Sequence, residues 1–484
     1  MGSSIDPSIW QTLAARLVRD PGTPVDNPTT SFWQEPLLPI AQHASSSLPK
    51  DAEVVIIGSG IAGISTALHL LRRDPRLSIV MLEARTAISG ATGRNGGHIK
   101  AVPWADYFAL KETYGKESAM KITKFRLAHL EAMVAEAEAL GEEGKVGLVR
   151  RVDGVCAIYD KDFWTQAKLR LGVFLDDFPE EKGRWNIHED EKELKALELA
   201  DAHGCIVGPA GAAWPYRFLG VVLSRLLQSG QLSLETHTVA KDIRRTSSPT
   251  HPYEVHTTRG TVVTKHVIHC TNGHAAHLLP ALKGKLYPLR GQMTVQAVPP
   301  GFPRAGMQRS YSPMWAKGFD YITQSAGEDG SLYLGGGLLQ DGLDNDEDLG
   351  NPDDSRLSAG CLRHLEAVPG RAFVHGKGST IEKKWTGIMG FTGDGLPLVD
   401  RVHQYLSGRE ECDPAAGGEW LAAGWDGYGM VHCWLTGKAL AAMVTDHEDE
   451  VLEWFPRAEF ACTQDRLARM SPESALRHLL GHLD

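Results

Sequence analysis

One stretch near the start of the chain constrains the fold more than any other. Val54, Val55, Ile56 and Ile57 are β-prone and run into Gly58-Ser59-Gly60-Ile61-Ala62-Gly63. Glycine has no Cβ, so the backbone there can turn tightly and approach a pyrophosphate closely. Residues 64–71 read as a helix whose N-terminal amides and dipole would face that pyrophosphate. A second apolar run, 77–82, ends at Glu83, and 83 − 63 = 20 residues separate it from Gly63. That matches the spacing of about 20 residues expected of a carboxylate on a ribose hydroxyl. A plain glycine-rich βαβ turn explains Gly58 and Gly60 but gives Glu83 no role. The spacing predicts a dinucleotide site, and a carboxylate at Glu83 would repel the 2′-phosphate of NADP.

At 484 residues the chain exceeds one ordinary core, so two or three domains are expected. Its 42% hydrophobic and 23% charged content is that of a globular protein. A formal net charge of −10 argues against nucleic acid as a partner, since phosphate backbones call for basic patches. The apolar runs fall far short of the roughly 20 residues of a membrane helix, so no membrane partner is expected. The cysteines at 156, 205, 270, 361, 412, 433 and 462 are odd in number and free of CxxC spacing. That pattern argues against a disulfide framework or a zinc site and suits a reducing compartment. The start lacks an apolar signal core, Asp6 stands where myristoylation wants Ser or Thr, and His482-Leu483-Asp484 is no peroxisomal ending. A cytoplasmic location is the expectation. Asp344, Asp346 and Asp348 match the first calcium-loop positions, but Leu349 replaces the glycine and Ser355 the closing Glu, so no metal is expected.

Residues 5–20 form an amphipathic pattern with Trp10, Leu13, Ala14 and Leu17 on one face, read as a packing arm. A linker-like stretch with Pro21, Pro24, Pro28, Pro36 and Pro39 follows. Residues 117–140, 217–227 and 431–444 read as helices, and 237–243, 253–257 and 262–270 as strands. Short β-prone runs around 151–160 and 285–340 suggest an antiparallel sheet. The fold class is α/β in a mixed α+β arrangement: a Rossmann-like domain with an inserted antiparallel-sheet domain. The expected division is an arm and linker at 1–50, a discontinuous nucleotide domain at 51–100, 206–284 and 381–450, a substrate domain at 101–205 and 285–380, and a helical tail at 451–484.

Just after Glu83 comes Ser89-Gly90-Ala91-Thr92-Gly93-Arg94-Asn95-Gly96-Gly97-His98, too rich in glycine for a simple connection. Its small residues would let amides reach a flat ligand or phosphates, while Arg94 could add charge. Further on stand Cys270-Thr271-Asn272-Gly273, Leu334-Gly335-Gly336-Gly337, and the segments 385–397 and 422–430. As an ordered set, from about residue 50 to 445, these resemble the FAD-dependent oxidoreductases of the D-amino-acid oxidase and glycine oxidase superfamily, in particular the gamma-glutamylputrescine oxidoreductase-like branch. The resemblance implies FAD, its adenosine and pyrophosphate half held by Gly58, Gly60, Ile61, Ala62, Gly63, Glu83, Ala84 and Arg85. Gly90, Ala91, Thr92, Arg94, Asn95, Gly96, Gly97 and His98 would wrap the pyrophosphate and one edge of the isoalloxazine. Val239 would offer its backbone to the adenine, and Thr271, Asn272 and Gly273 would line the returning strand. Gly390 and Asp394 join the cofactor set. Gly427, Tyr428, Gly429 and Met430 would place amides at the head of a helix near the flavin's pyrimidine end, where the reduced ring accumulates negative charge.

The resemblance also implies hydride transfer to flavin from a carbon bearing nitrogen, giving an imine, with an amine or amino-acid-like small molecule as substrate. The cofactor carries that chemistry and no strong acid–base residue is required. His98 beside the flavin, Trp385 as an aromatic wall for a cationic amine, and Tyr333 and Arg290 from the small domain are the catalytic candidates. Relatives with covalent flavin use a cysteine near 392–394 or a histidine in the loop at 92–94. Residues 385–397 contain no cysteine and Arg94 stands in the histidine's place, so noncovalent FAD is expected, with His98 the other conceivable attachment point. Tyr333 aligns with a lysine that helps oxygen react in sarcosine-oxidase-like relatives, which leaves O2 and another electron acceptor both open, with His98, Lys100 and Arg290 as alternative positive charges. Competing readings are a flavin-dependent dehydrogenase or monooxygenase acting on a specialised metabolite, and a noncatalytic FAD-binding subunit. A monooxygenase would commonly carry a second fingerprint for NADPH, and residues 334–337 lack the helix that would complete one. A hydrolase would need a GxSxG elbow, which is missing.

Overall fold

A computed structural model of the chain describes residues 7–338 and 347–481. Among them the strands fall into two sheets. The first runs in the order Leu398–Arg401, Gly418–Ala423, Gly260–His269, Asp51–Ile57, Ile79–Leu82 and Leu232–Glu235. Neighbours are parallel except for the outer pair, Leu398–Arg401 with Gly418–Ala423. A hairpin of Ala240–Arg245 and Tyr253–Thr257 joins Gly260–His269 antiparallel. Val54, Val55 and Ile56 are wholly buried, as a central parallel strand covered on both faces requires. The helix Ile61–Arg73 packs on one face with Cys433–Val444, and Ser65 Oγ donates to Trp434 O at 2.6 Å.

The second sheet runs Thr380–Thr392, Leu286–Ala297, Leu332–Gly336, Tyr321–Gln324, Arg309–Met314, Arg150–Ile158, Gly204–Ala212 and His98–Ile99, with Asn186–His188 beside Gly204–Ala212. It is antiparallel save for one pair, Arg309–Met314 with Arg150–Ile158. A parallel pair needs a long crossover, and the chain supplies one by visiting the first sheet between those strands. Gly204–Ala212 and Thr380–Thr392 pair in this second sheet, although the sequence division placed 206–212 and 381–392 with the nucleotide-binding segments. Apolar patterning reports that a strand is buried, not which sheet buries it.

The expected helix at 117–140 is the later part of Pro103–Ala139, interrupted at Gly115, where φ is 80°. Pro215–Gln228 forms as expected. Cys433–Val444 begins later than its sequence pattern because Gly429–Val431 make a separate 3-10 turn. Pro7–Leu17 buries Leu13 and Leu17 against Leu476 and Leu479 near the other end of the chain. Residues 21–50 are not a spacer. Arg85 Nη1 donates to Val25 O at 3.2 Å, Ala87 N to Ala41 O at 2.8 Å and Thr236 N to His43 O at 3.1 Å, so this arm lies across the first sheet's loops. No described helix is long and apolar enough to cross a membrane. Asp344 and Asp346 lie outside the described residues.

Candidate active site

The glycines of the first turn are set by contact between backbones. Gly58 has φ +112°, and a Cβ on it would lie 2.6 Å from Cys270 O, while a Cβ on Gly63 would lie 2.1 Å from Gly58 O. Strand, turn and helix therefore meet without room for a methyl group. Gly60 caps the helix with no side chain, and Thr92 Oγ1 accepts from Ile61 N at 3.0 Å instead. The amides of Ala62 and Gly63, in the first turn, have no partner within the helix and face outward with its positive end. Glu83 Oε2 accepts from Ser59 N (3.1 Å) and Ser59 Oγ (2.6 Å), and Oε1 from Arg85 N (3.0 Å). A carboxylate has about four acceptor positions, so one remains for a ribose hydroxyl. Ala84, between these two residues, is half-buried.

The second glycine-rich loop is braced from every side. Gly90 is exposed, Ala91–Gly93 form a 3-10 turn, and Asn95 ties the rest together: Nδ2 donates to Thr92 O at 2.9 Å and Oδ1 accepts from Gly97 N at 2.7 Å. Two indoles hold its carbonyls, Trp385 Nε1 on Arg94 O at 2.9 Å and Trp33 Nε1 on Asn95 O. Trp385 is fully buried, so it supports the loop from beneath. The Arg94 guanidinium donates to Ser89 O (2.7 Å), Thr29 O (2.8 Å) and Thr386 O (2.7 Å) and stands 3.6 Å from Asp354. Arg85 grips the same Asp354 through both nitrogens, at 2.9 and 3.0 Å. Arg94 and Arg85 thus spend their charge on Asp354, and further donors tie them to the arm at Thr29 O and Val25 O. Gly96 packs against Tyr321, whose ring a Cβ would meet at 2.7 Å.

The two sheets meet at the far end of this loop. Asn272, in a left-handed conformation (φ 44°), accepts from Gly424 N through Oδ1 at 3.1 Å, and a Cβ on Gly390 would lie 2.3 Å from that oxygen. A Cβ on Gly273 would lie 2.6 Å from Met389 O. Asp426 N donates to Gly390 O at 2.9 Å, and Asp426 Oδ2 accepts from His478 Nε2 at 2.9 Å. Ser89 Oγ, Thr271 Oγ1 and Asp426 Oδ1 are buried with no hydrogen-bond partner. The segment Gly427, Tyr428, Gly429 and Met430 stands before Cys433–Val444, its amides presented by the 3-10 turn and not by the first α-turn. Tyr428 OH donates to Asp106 at 3.0 Å, the Arg126 guanidinium lies 4.8 Å over its ring, and Met430 Sδ is 3.8 Å from Asn95 Nδ2. Asp394 is engaged by Arg466 at 2.8 and 3.0 Å. Val239 N donates to Thr258 Oγ1 (3.1 Å) and its carbonyl accepts from Thr258 N (3.0 Å), leaving a carbonyl lone pair for a ligand.

Of the four catalytic candidates, three lie by the loop and one does not. His98 Nε2 donates to Ile322 O at 3.1 Å, and burial, with Lys100 and Arg150 nearby, lowers its pKa to about 3. Tyr333 is buried 4.4 Å from Trp33, and burial raises its phenol to about 12. Trp385 is the prop described above. Arg290 alternates with Met293 along Leu286–Ala297, so it points to the opposite face, where Nε meets Asp348 at 2.5 Å. Its charge is neutralised there, away from the loop. Sequence reasoning missed Phe32, Trp33, Trp214 and Arg217, which surround Tyr333, and Asp106 and Arg126, which hold Tyr428. The one signal available was a pair of large aromatics, Phe32-Trp33, inside a proline-rich stretch.

A dinucleotide turn, a second loop that caps its helix, and an amide-rich turn reaching that loop make a candidate site for an extended dinucleotide. The residues fit FAD: the backbone contacts at Gly58 and Gly63 keep the turn flush, Glu83 retains an acceptor position, and Ser89 and Thr271 bring unpartnered hydroxyls to the same region. Residues 53–443 match the family described as FAD dependent oxidoreductase (DAO), and the chain belongs to that family. It is an FAD-dependent enzyme. The chain is 24% identical to gamma-glutamylputrescine oxidoreductase of Escherichia coli (strain K12) over 409 residues, covering 81% of this chain and 83% of that protein. Its fold is similar to glycine oxidase from Geobacillus kaustophilus, with a TM-score of 0.64 and 20% identity over 86% of this chain and 99% of that one. L-Amino acid deaminase from Proteus myxofaciens, solved with anthranilate, also gives 0.64, at 18% identity over 93% and 99%.

Proposed function

We propose that this flavoenzyme oxidises the C–N bond of an amine or amino-acid-like small molecule, the carbon beside nitrogen losing hydride to leave an imine that water hydrolyses. The observation that carries the reading is the aromatic wall of Phe32, Trp33 and Tyr333 standing beside the braced loop, with Trp33 bonded to Asn95 O. His98, lowered to about 3, and Tyr333, raised to about 12, neither give nor take a proton near pH 7. FAD, when bound, supplies a two-electron acceptor, so C–H cleavage as hydride needs no protein base. The chain's contribution is then orientation and exclusion of water: the rings of Phe32, Trp33 and Tyr333 wall the space beside Asn95 and Gly97, and the braced loop fixes where the substrate carbon lies. The names of the relatives, an oxidoreductase of a putrescine conjugate and enzymes of amino acids, support the same substrate class.

The cofactor residues read from sequence, from Gly58 to Met430, hold FAD in this proposal. Noncovalent binding is supported because Thr380–Thr392 contains no cysteine, Arg94 replaces a histidine, and His98 Nε2 is occupied by Ile322 O. A cysteine set without framework spacing supports a cytoplasmic location. The test is anaerobic mixing of the yellow holoenzyme with a panel of amines and amino acids. We expect one class to abolish the oxidised flavin band and yield a carbonyl product, and acid precipitation to release free FAD. Readmitting air and assaying peroxide then separates O2 from another acceptor. Persistence of the oxidised band with every member of the panel refutes the proposal, and bleaching by NADPH alone replaces it with a monooxygenase.

A further inference from the structure

We propose that His478, on the C-terminal helix Pro472–Gly481, is a positioning residue for the flavin: it fixes Asp426 and balances its charge beside the turn at 427–430. Asp426 immediately precedes that turn and stands in a left-handed conformation (φ 51°), one that a short polar side chain tolerates. Its amide is tied to the second sheet through Gly390 O at 2.9 Å, and its Oδ2 accepts from His478 Nε2 at 2.9 Å. Among the described residues no other side chain bonds this carboxylate, and Oδ1 is buried without a partner. The helix is seated to make the contact. A Cβ on Gly395 would lie 2.2 Å from His478 Cε1, and one on Gly393 would lie 3.0 Å from Ser474 Oγ, so two glycines of the segment 385–397 give it room. Ala475, Leu476 and Leu479 pack with Leu13, Leu17 and Phe391. Residues 7–17 and 472–481 both fall outside the family-matched 53–443, so the clasp is built from segments that the family match does not include.

Asp426 differs from the other carboxylates at this end of the site in its partner. Asp106 has Arg126 at 3.2 Å and Asp394 has Arg466 at 2.8 Å, and a guanidinium keeps its charge throughout the working range of pH. Asp426 has an imidazole, whose charge is lost when the proton leaves. Burial lowers the pKa of His478, but the hydrogen bond and charge of Asp426, with Asp394 beyond, outweigh burial and the opposing Arg126 and carry it above 6.5. Glu473 and Arg477 of its own helix are exposed to solvent. The phenols near Asp426, Tyr287 and Tyr428, are raised well above their ordinary value, chiefly by burial, and stay neutral. With His478 protonated, the pair carries no net charge. Without that proton, a lone carboxylate stands beside the end of the ring where reduction adds negative charge. The pair thus couples reduction of the cofactor to a proton on the C-terminal helix: the reduced form is favoured below the pKa of His478 and loses that support above it. This inference rests on the placing of the pyrimidine end at 427–430 proposed above; it does not rest on the C–N reaction.

The test measures the flavin reduction potential of the FAD-loaded protein against indicator dyes from pH 6 to pH 9, with no substrate present. His478→Gln retains an N–H donor for Asp426 but carries no charge. We expect its potential to lie below that of the wild type at pH 6, and the gap to close as pH rises and the wild-type imidazole loses its proton. Adding Asp426→Asn, an exchange that the left-handed backbone accepts, should bring the potential of His478→Gln back to the wild-type value. A mechanical brace alone would instead lower the melting temperature in each variant, more so in the pair, and leave the pH profile of the potential unmoved. Potentials of wild type and His478→Gln that coincide at pH 6, a gap that does not narrow with pH, or a double variant no higher than His478→Gln overturns the proposal. If the potentials behave as expected while no amine or amino acid bleaches the flavin, the coupling stands and the C–N reading falls. Bleaching by an amine with coincident potentials does the reverse.

Discussion

A methyl group on Gly63 would sit 2.1 Å from the Gly58 carbonyl oxygen, against backbone that cannot swing aside. Gly63→Ala must push the helix Ile61–Arg73 off its strand, at an expected cost of about 1–3 kcal/mol, with FAD affinity falling in step. Thermal unfolding and FAD titration measure both. Gly172→Ala is the control: nothing lies within 4 Å of its Cβ and it sits in the helix Lys161–Asp177, outside the cofactor set, so FAD affinity should not change. Glu83→Ala strips the acceptor from Ser59 N, Ser59 Oγ and Arg85 N, and FAD affinity should drop at least tenfold; full affinity would refute the ribose role. The spacing from Gly63 made Glu83 legible because it is a property of the chain alone. The direction of a side chain is not. Arg94 reads as a charge for phosphates and Trp385 as a wall, yet their partners, Thr29, Thr386 and the Arg94 carbonyl, come from distant segments.

The arm shows the same limit in an entire segment. Its prolines mark turns, and turn signals say nothing about whether the backbone is later covered. In the fold, Ser31 Oγ donates to Gly93 O at 2.7 Å, and Gln34 Nε2 donates to Gly93 O at 3.1 Å and Ser89 O at 3.3 Å. The arm is thus a strap over the cofactor loop. Replacing both Ser31 and Gln34 by Ala should loosen the loop by about 0.5–1.5 kcal/mol for each hydrogen bond lost. FAD should dissociate faster, followed by the rise of flavin fluorescence on dilution, and the loop at 89–97 should become more sensitive to protease. An unchanged release rate would deny the strap its role. The core strands of the first sheet and the helices Ile61–Arg73 and Pro215–Gln228 were readable because their periodicity is local. The placing of Thr380–Thr392 and Gly204–Ala212 in the second sheet depends on pairing with strands 83 to 106 and 46 to 62 residues away, which no local pattern encodes.

Across the molecule, several histidines are buried in the neutral form. Burial lowers His98 and His266 to about 3 and His129 and His274 to about 4, against an ordinary value of 6.5. Between those limits the unfolded chain binds more protons than the folded one, so stability rises with pH there and is lost as pH falls from 6.5 towards 4. The melting temperature should accordingly decline through that window and show no contribution from these groups above pH 7; a melting temperature that climbs on acidification to pH 5 would contradict it. The broad architecture, a dinucleotide domain beside a mostly antiparallel sheet, was legible because the fingerprint, the second loop and the segment ending at Met430 are each explained by one extended cofactor. That joint use is the central claim, and a crystal structure of the FAD-loaded enzyme tests it most directly. The pyrophosphate is expected at the amides of Ala62 and Gly63, the ribose at Glu83, and the isoalloxazine between the loop at 95–97 and the amides of 427–430. Density that places the flavin ring away from either of those last two segments would contradict it.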